Sequence, residues 1–94
     1  MRGYRVLAAN ARAGGGELDL IVRRGRRLVF CEVKAKGGPR FGDPLEMIGP
    51  EKLRRLRRAA EAWLAARPDL AGLEVSFEAV AVRDGKLERV DLVL

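Results

Sequence analysis

The chain has 94 residues, with 19 Lys and Arg against 13 Asp and Glu, a net charge of +6 and a pI near 10.4. It holds no His and a single Cys, Cys31, which excludes Ser–His and Cys–His nucleophilic catalysis and the usual one-chain zinc sites. With 48% apolar and 34% charged residues it reads as one globular domain over 1–94, with no bilayer-spanning run, no signal peptide, and a lone Cys that suits a reducing, cytoplasmic setting.

Tyr4–Asn10 is a short apolar run, expected to form a first strand, and Ala13–Gly16 follows as a glycine-rich loop. Glu17–Arg23 alternates as a second strand, with Leu18, Leu20 and Val22 on one face and Glu17, Asp19 and Ile21 on the other. Arg24-Gly25 turns the chain into a third strand, Arg27–Lys34. There Val29, Cys31 and Val33 share one face, and Leu28, Phe30, Glu32 and Lys34 the other. Lys36–Phe41 is a basic loop punctuated by Gly and Pro, and Pro44–Ile48 adds a helical turn. The main helix opens at Gly49-Pro50 and stops before Pro68, because a residue preceding Pro disfavours the helical region. Its buried stripe is Leu53, Leu56, Ala60, Trp63 and Leu64, opposite an arc of Arg54, Arg55, Arg57 and Arg58. Glu74–Val82, a turn at Asp84-Gly85 and Leu87–Leu92 complete the order β-β-β-α-β-β. The expected fold class is α/β, a mixed central sheet of about five strands with one main helix.

Charge is unevenly placed, at +9 over residues 1–67 and −3 over residues 68–94. Nucleic acid is therefore the first partner to consider, since phosphate contacts supply most non-specific affinity. Chemistry without His must rest on carboxylates, Lys and Arg, with or without a hard, oxygen-seeking metal. Asp19 on the second strand and Glu32-Val33-Lys34 on the third supply such a set. Side chains two apart on a strand share a face, so Glu32 and Lys34 are neighbours, and the hairpin can bring Asp19 to them. Two carboxylates and the Val33 carbonyl make an oxygen site for Mg²⁺ or Mn²⁺, with the Lys34 ammonium beside it. Alternating charge on a solvated strand face is the ordinary explanation of an E-x-K spacing, and Asp84-Gly85-Lys86 reads simply as a turn. Against that, Asp19 and Glu32 stand among Ile21 and Phe30, where an unpartnered carboxylate is costly.

Gly16-Glu17-Leu18-Asp19-Leu20-Ile21, Val29-Phe30-Cys31-Glu32-Val33-Lys34, Phe41-Gly42 and the Lys-bearing, Arg-rich helix resemble the YraN-like family of bacterial proteins. The resemblance runs from Gly3-Tyr4-Arg5 to the last strand. That family is similar to the PD-(D/E)xK, restriction-endonuclease-like nucleases, with archaeal Holliday-junction resolvases among their relatives. The resemblance implies a restriction-endonuclease-like fold, Asp19 and Glu32 as metal ligands, Lys34 as the catalytic Lys and Glu17 as an accessory acid. Members usually begin with a helix bearing a Gly-Glu pair ahead of the Gly-Tyr-Arg stretch. A chain starting Met1-Arg2-Gly3-Tyr4 is therefore expected to lack one helix, an acidic residue and the cover of one sheet face. Either the start codon lies further upstream, or a shortened protein of that kind forms a homodimer or only binds.

The expected activity is metal-dependent cleavage of structured or branched DNA by water attack on phosphodiesters, in DNA repair or recombination. The alternatives are a non-catalytic DNA- or RNA-binding module on the same fold, and a protein-interaction module. Lys36, Arg40, Lys52, Arg54, Arg55, Arg57 and Arg58 are the expected nucleic-acid contacts. Trp63 and Cys31 are expected to be core.

Overall fold

The computed structural model describes residues 3–35, 48–83 and 85–92. Five strands form a single sheet in the spatial order of the chain: β1 (Arg5–Ala13), β2 (Gly16–Arg24), β3 (Arg27–Ala35), β4 (Glu74–Arg83) and β5 (Lys86–Leu92). Neighbours pair antiparallel except β3 and β4, which are parallel. A parallel pair needs a crossover, and helix α1 (Pro50–Ala65) lies in that connection. The α/β class, the mixed sheet and the element order are those the sequence implies. The expected loop at Lys36–Phe41 and most of the expected turn at Pro44–Ile48 lie outside the described residues.

The first hairpin is tighter than the expected loop at Ala13–Gly16. Ala13 pairs with Gly16, leaving Gly14 and Gly15 as a two-residue turn. Both have positive φ, 56° and 78°, the conformation that matches the twist of a two-residue hairpin. Gly14 also passes under α1, where a Cβ would meet the Arg58 carbonyl oxygen at 2.9 Å and the Ala62 Cβ at 3.1 Å. The turn is thus fixed by backbone freedom and by contact with the helix together.

Each face of the sheet has its own apolar cluster. On the helix side, Leu18, Ile21, Leu28 and Phe30 pack against Leu56, Ala59, Ala60 and Trp63, with Leu70 from a single 3-10 turn at Pro68–Leu70. Phe30 is central, edge-on to Trp63 at 5.8 Å and stacked on Phe77 at 5.4 Å. Burial of each such large side chain contributes about 1.5–3 kcal/mol. The helix buries Ala59 in addition to the expected stripe, while Leu53 and Leu64 are only half-buried. On the other side, Val22, Val29, Cys31 and Val80 form a second cluster with Tyr4, Leu20 and Val33. Among the described residues no helix covers this side, and Val6 and Leu87 are 59% and 55% exposed at its rim. Tyr4, Val6, Leu20, Val80 and Leu87 help line an apolar concavity there of about 280 Å³.

The expected alternation of β2 fails at one point. Leu18 joins Ile21 on the helix side, while Leu20 and Val22 face the other way, so the strand slips by one residue between Leu18 and Leu20. Asp19 sits at the slip. Across the ladder, Ala9 pairs with Leu20 and Ala11 with Leu18, which puts Asn10 opposite Asp19. Asn10 is the one described non-glycine residue with positive φ, at 52°. Asn tolerates that region better than most residues, and the matching irregularity lets β1 follow β2 through the slip.

Two outcomes follow from this packing. Gly14→Ala should lower stability by about 1–3 kcal/mol, read as a lower urea midpoint, because it meets both strain and the helix backbone. Burial, helped by the charge of Glu78, pushes the Cys31 thiol up to about 11. Thiolate is the reactive form, so Cys31 should resist a thiol reagent at pH 8 in the native protein and react at once in denaturant.

Candidate metal and phosphodiester site

The site forms where β2 and β3 stop pairing. Their ladder runs from Arg24–Arg27 to Leu20–Cys31 and does not continue to Asp19 and Glu32. The carboxylate of Asp19 takes over from the backbone, its Oδ2 accepting the Val33 N–H at 2.9 Å. This bond pins Asp19 to β3 and leaves room beside it for side chains.

Glu32 enters that space from β3 with its side chain only 5% exposed. Burial of an ionised carboxylate requires compensation, and two ammonium groups supply it. Lys52 Nζ lies 3.0 Å and Lys34 Nζ 3.3 Å from the same oxygen, Glu32 Oε1. Lys52 comes from the first turn of α1, which the Gly49-Pro50 start aims at the end of the sheet. The hydrogen bond to Glu32 raises the Lys52 pKa, and Asp19 adds to the effect against the opposing cost of burial. Lys52 is therefore held as the ammonium.

Glu17, Asp19, Glu32, Lys52 and Arg55 line one open concavity of about 320 Å³, floored by Gly15, Gly16 and Leu56. Glu17 stands at its mouth, 3.8 Å from Arg12. Arg55 is 3.6 Å from Glu51. Two carboxylates with Glu17 nearby are a hard oxygen set, of the kind that holds Mg²⁺ or Mn²⁺ together with several waters. Among the described residues no group of three or more His, Cys, Asp or Glu side chains is placed to hold a metal ion. With two carboxylates in the concavity, an ion there would take most of its shell from water.

The structure brings Asp19, Glu32 and Lys34 together and places Glu17 at the edge. Val33 engages through its amide. Arg54, Arg55, Arg57 and Arg58 are exposed on α1, with Arg57 paired to Glu61 at 3.1 Å. Lys36 and Arg40 lie outside the described residues. Lys52 differs most from its expected role, since it is bound to Glu32 within the site. The pairing of buried Glu78 with exposed Arg89, two bonds of 2.7 and 2.9 Å, is not anticipated from the sequence. Its signal was a single charge within the apolar run Val75–Val82, with Arg89 one ladder step away, opposite Val80.

The family described as Uncharacterised protein family UPF0102 matches the chain over residues 1–94. The chain belongs to the UPF0102 family. It is 46% identical over 84 residues to a UPF0102 protein of Mycolicibacterium vanbaalenii, covering 89% of this chain and 69% of that protein. A Magnetococcus marinus UPF0102 protein is 46% identical over 81 residues, 86% of this chain and 65% of its own length. One from Mesorhizobium japonicum is 44% identical over 82 residues, 87% and 64% respectively. The chain thus spans about two thirds of the length of these UPF0102 relatives. Among the described residues no helix is long and apolar enough to cross a membrane.

The Lys52–Glu32 pair predicts a defined pH dependence. A raised lysine pKa adds stability that is present in full below the unfolded value near 10.5 and is lost as pH rises through the higher folded value. Lys52→Met should therefore be less stable than the parent at pH 7 to 9, by no more than about 1 kcal/mol because solvent screens the pair. The difference should close in strong alkali, measured as urea midpoints across pH.

Proposed function

We propose that this UPF0102 chain binds nucleic acid and is a metal-dependent nuclease, cleaving DNA phosphodiesters by in-line attack of water. The reading rests chiefly on one observation. Asp19 and Glu32 line one concavity where a hairpin ladder opens beside an Arg-bearing helix, and the Lys34 ammonium lies 3.3 Å from Glu32. The resemblance to restriction-endonuclease-like nucleases supports the same assignment, and structured or branched DNA in repair or recombination, in a cytoplasmic setting, is the substrate class it favours.

Asp19 and Glu32, with the Val33 carbonyl, would hold Mg²⁺ or Mn²⁺. The ion would supply Lewis-acid stabilisation of charge building on the phosphoryl oxygens. Lys34 orients the attacking water and offsets negative charge at phosphorus. Asp19 keeps its own position through the Val33 amide, so its free oxygen is directed by β3. Lys52 and Arg55 neutralise the phosphate that enters the concavity.

Calorimetry with Mn²⁺ and a branched-DNA cleavage assay test this. Wild type should bind Mn²⁺ and cleave, and Asp19→Asn and Glu32→Gln should each abolish the binding heat. Lys34→Met should keep the heat and lose at least about 100-fold in rate. DNA binding without Mn²⁺ heat in the wild type would replace the nuclease by a non-catalytic binding module.

A further inference from the structure

Four of the five residues at the β2–β3 turn are arginines: Arg23, Arg24, Arg26 and Arg27 around Gly25. The ladder places Arg24 opposite Arg27, and Arg23 opposite Arg5 of β1. Like charges directly across a strand pair are destabilising, and this hairpin carries two such pairs. Among the described residues no carboxylate lies within ion-pair distance of any of the five. Even Glu74, in register with Arg27, does not pair with it. The fold therefore carries the repulsion without internal relief, which an external polyanion would supply.

The guanidiniums are also positioned in advance. Arg23 Nε donates to the Gly25 carbonyl at 2.8 Å, and an Arg26 nitrogen to the Gly72 carbonyl at 2.9 Å. The Arg26 carbonyl accepts the Glu74 N–H at 2.7 Å, tying the hairpin to the start of β4. Gly3, Arg5, Arg23, Arg24 and Gly25 line a shallow concavity of about 400 Å³, and Arg24 lies 5.9 Å over the Tyr4 ring. Helix α1 contributes an arginine to the concavity at each end. Arg55 lines the site, and Arg57, further along α1, shares a groove with Arg27.

We infer that the Arg23–Arg27 hairpin with Arg5 is a second phosphate-backbone contact surface, separate from the candidate metal site. Asp19 and Arg24 are five residues apart on β2, about 17 Å. Phosphates of one strand advance about 3.4 Å each along the duplex axis, so for a duplex lying along β2 the hairpin holds the backbone about five base pairs from the reacting phosphate. The inference rests on the nucleic-acid reading above and extends the bound length beyond the site and helix.

The test is fluorescence anisotropy with a 20-base-pair DNA duplex, free of divalent metal, across a salt series. It compares wild type with the triple variant Arg5→Ala, Arg24→Ala, Arg27→Ala, none of which makes the carbonyl bonds that hold the turn. Each lost phosphate contact should reduce the slope of log K against log salt by about 0.9, so the variant should lose about 2 to 3 from it. Affinity in 0.1 M salt should fall at least tenfold, with a melting temperature unchanged or higher as the like-charge pairs are relieved. Wild-type binding with an unchanged slope in the folded variant overturns this inference and leaves the nucleic-acid reading standing. No binding by wild type overturns both. Loss of binding to vesicles containing phosphatidylglycerol, with duplex binding retained, would make the hairpin a lipid-headgroup contact and overturn it equally.

Discussion

A carboxylate standing in for a backbone carbonyl organises one end of this molecule. Asp19 Oδ2 accepts the Val33 N–H where the β2–β3 ladder has already ended at Leu20–Cys31. A buried strand amide left without an acceptor would cost about 1–3 kcal/mol, so the side chain stabilises β3 while breaking the regularity of β2. The break reverses the alternation, sending Leu18 toward the helix and Leu20 away from it. Asn10, opposite in register with φ 52°, gives β1 the conformation needed to stay paired through the irregularity. The Gly14-Gly15 turn then returns the chain beneath α1, whose first turn carries Lys52 to Glu32. Strand slip, glycine turn and helix position are consequences of one arrangement.

Two buried carboxylates, Glu32 and Glu78, show how the same cost is met in different ways. Glu78 is 2% exposed and takes a bidentate Arg89, whose planar fork fills both oxygens. Such a pair is closed, and Arg89 lies across it beside the Tyr4 ring at 5.5 Å. Glu32 instead shares one oxygen between two lysines, which are point charges on flexible stems. Lysines can withdraw without dismantling a fork, and the concavity beside them is open. The first arrangement suits structure. The second keeps Glu32 at the wall of an open concavity.

Much of the fold was legible because period and punctuation agreed. The five strands and the helix lie close to their expected places, since β2 to β5 carry apolar residues at strand spacing and Pro50 and Pro68 bracket α1. Glu32 and Lys34 were legible for the same reason, since a period of two puts both on one face of β3, whereas Asp19 sits where that period breaks. The slip at Asp19 was not legible, because it depends on a tertiary hydrogen bond to Val33 and on Asn10 across the ladder. Lys52 looked like one more cation on a basic helix. Only the packing of α1 over Gly14 and Gly16 brings it to a buried acid. The arginine hairpin was read as a turn, which it is, and its charge emerged when the register set Arg5 opposite Arg23 and Arg24 opposite Arg27.

Sheet order turns the uneven charge of the sequence into a surface with direction. The segment 68–94, at −3, supplies β4 and β5, so its exposed Glu74, Glu88 and Asp91 lie toward one edge of the sheet. The +9 segment supplies β1, β2, β3 and α1. A polyanion finds no net charge along β5, where Lys86 and Arg89 balance Glu88 and Asp91, and is attracted along the β1–β3 side, where the helix arginines lie between the site and the hairpin. Within that side the two ends differ. Glu17, Asp19 and Glu32 offset the cations around the site, whereas the hairpin cations have no carboxylate partner among the described residues. A bound phosphate backbone would therefore be held most firmly at the hairpin, while a metal ion placed on Asp19 and Glu32 would draw the next length of it into the site.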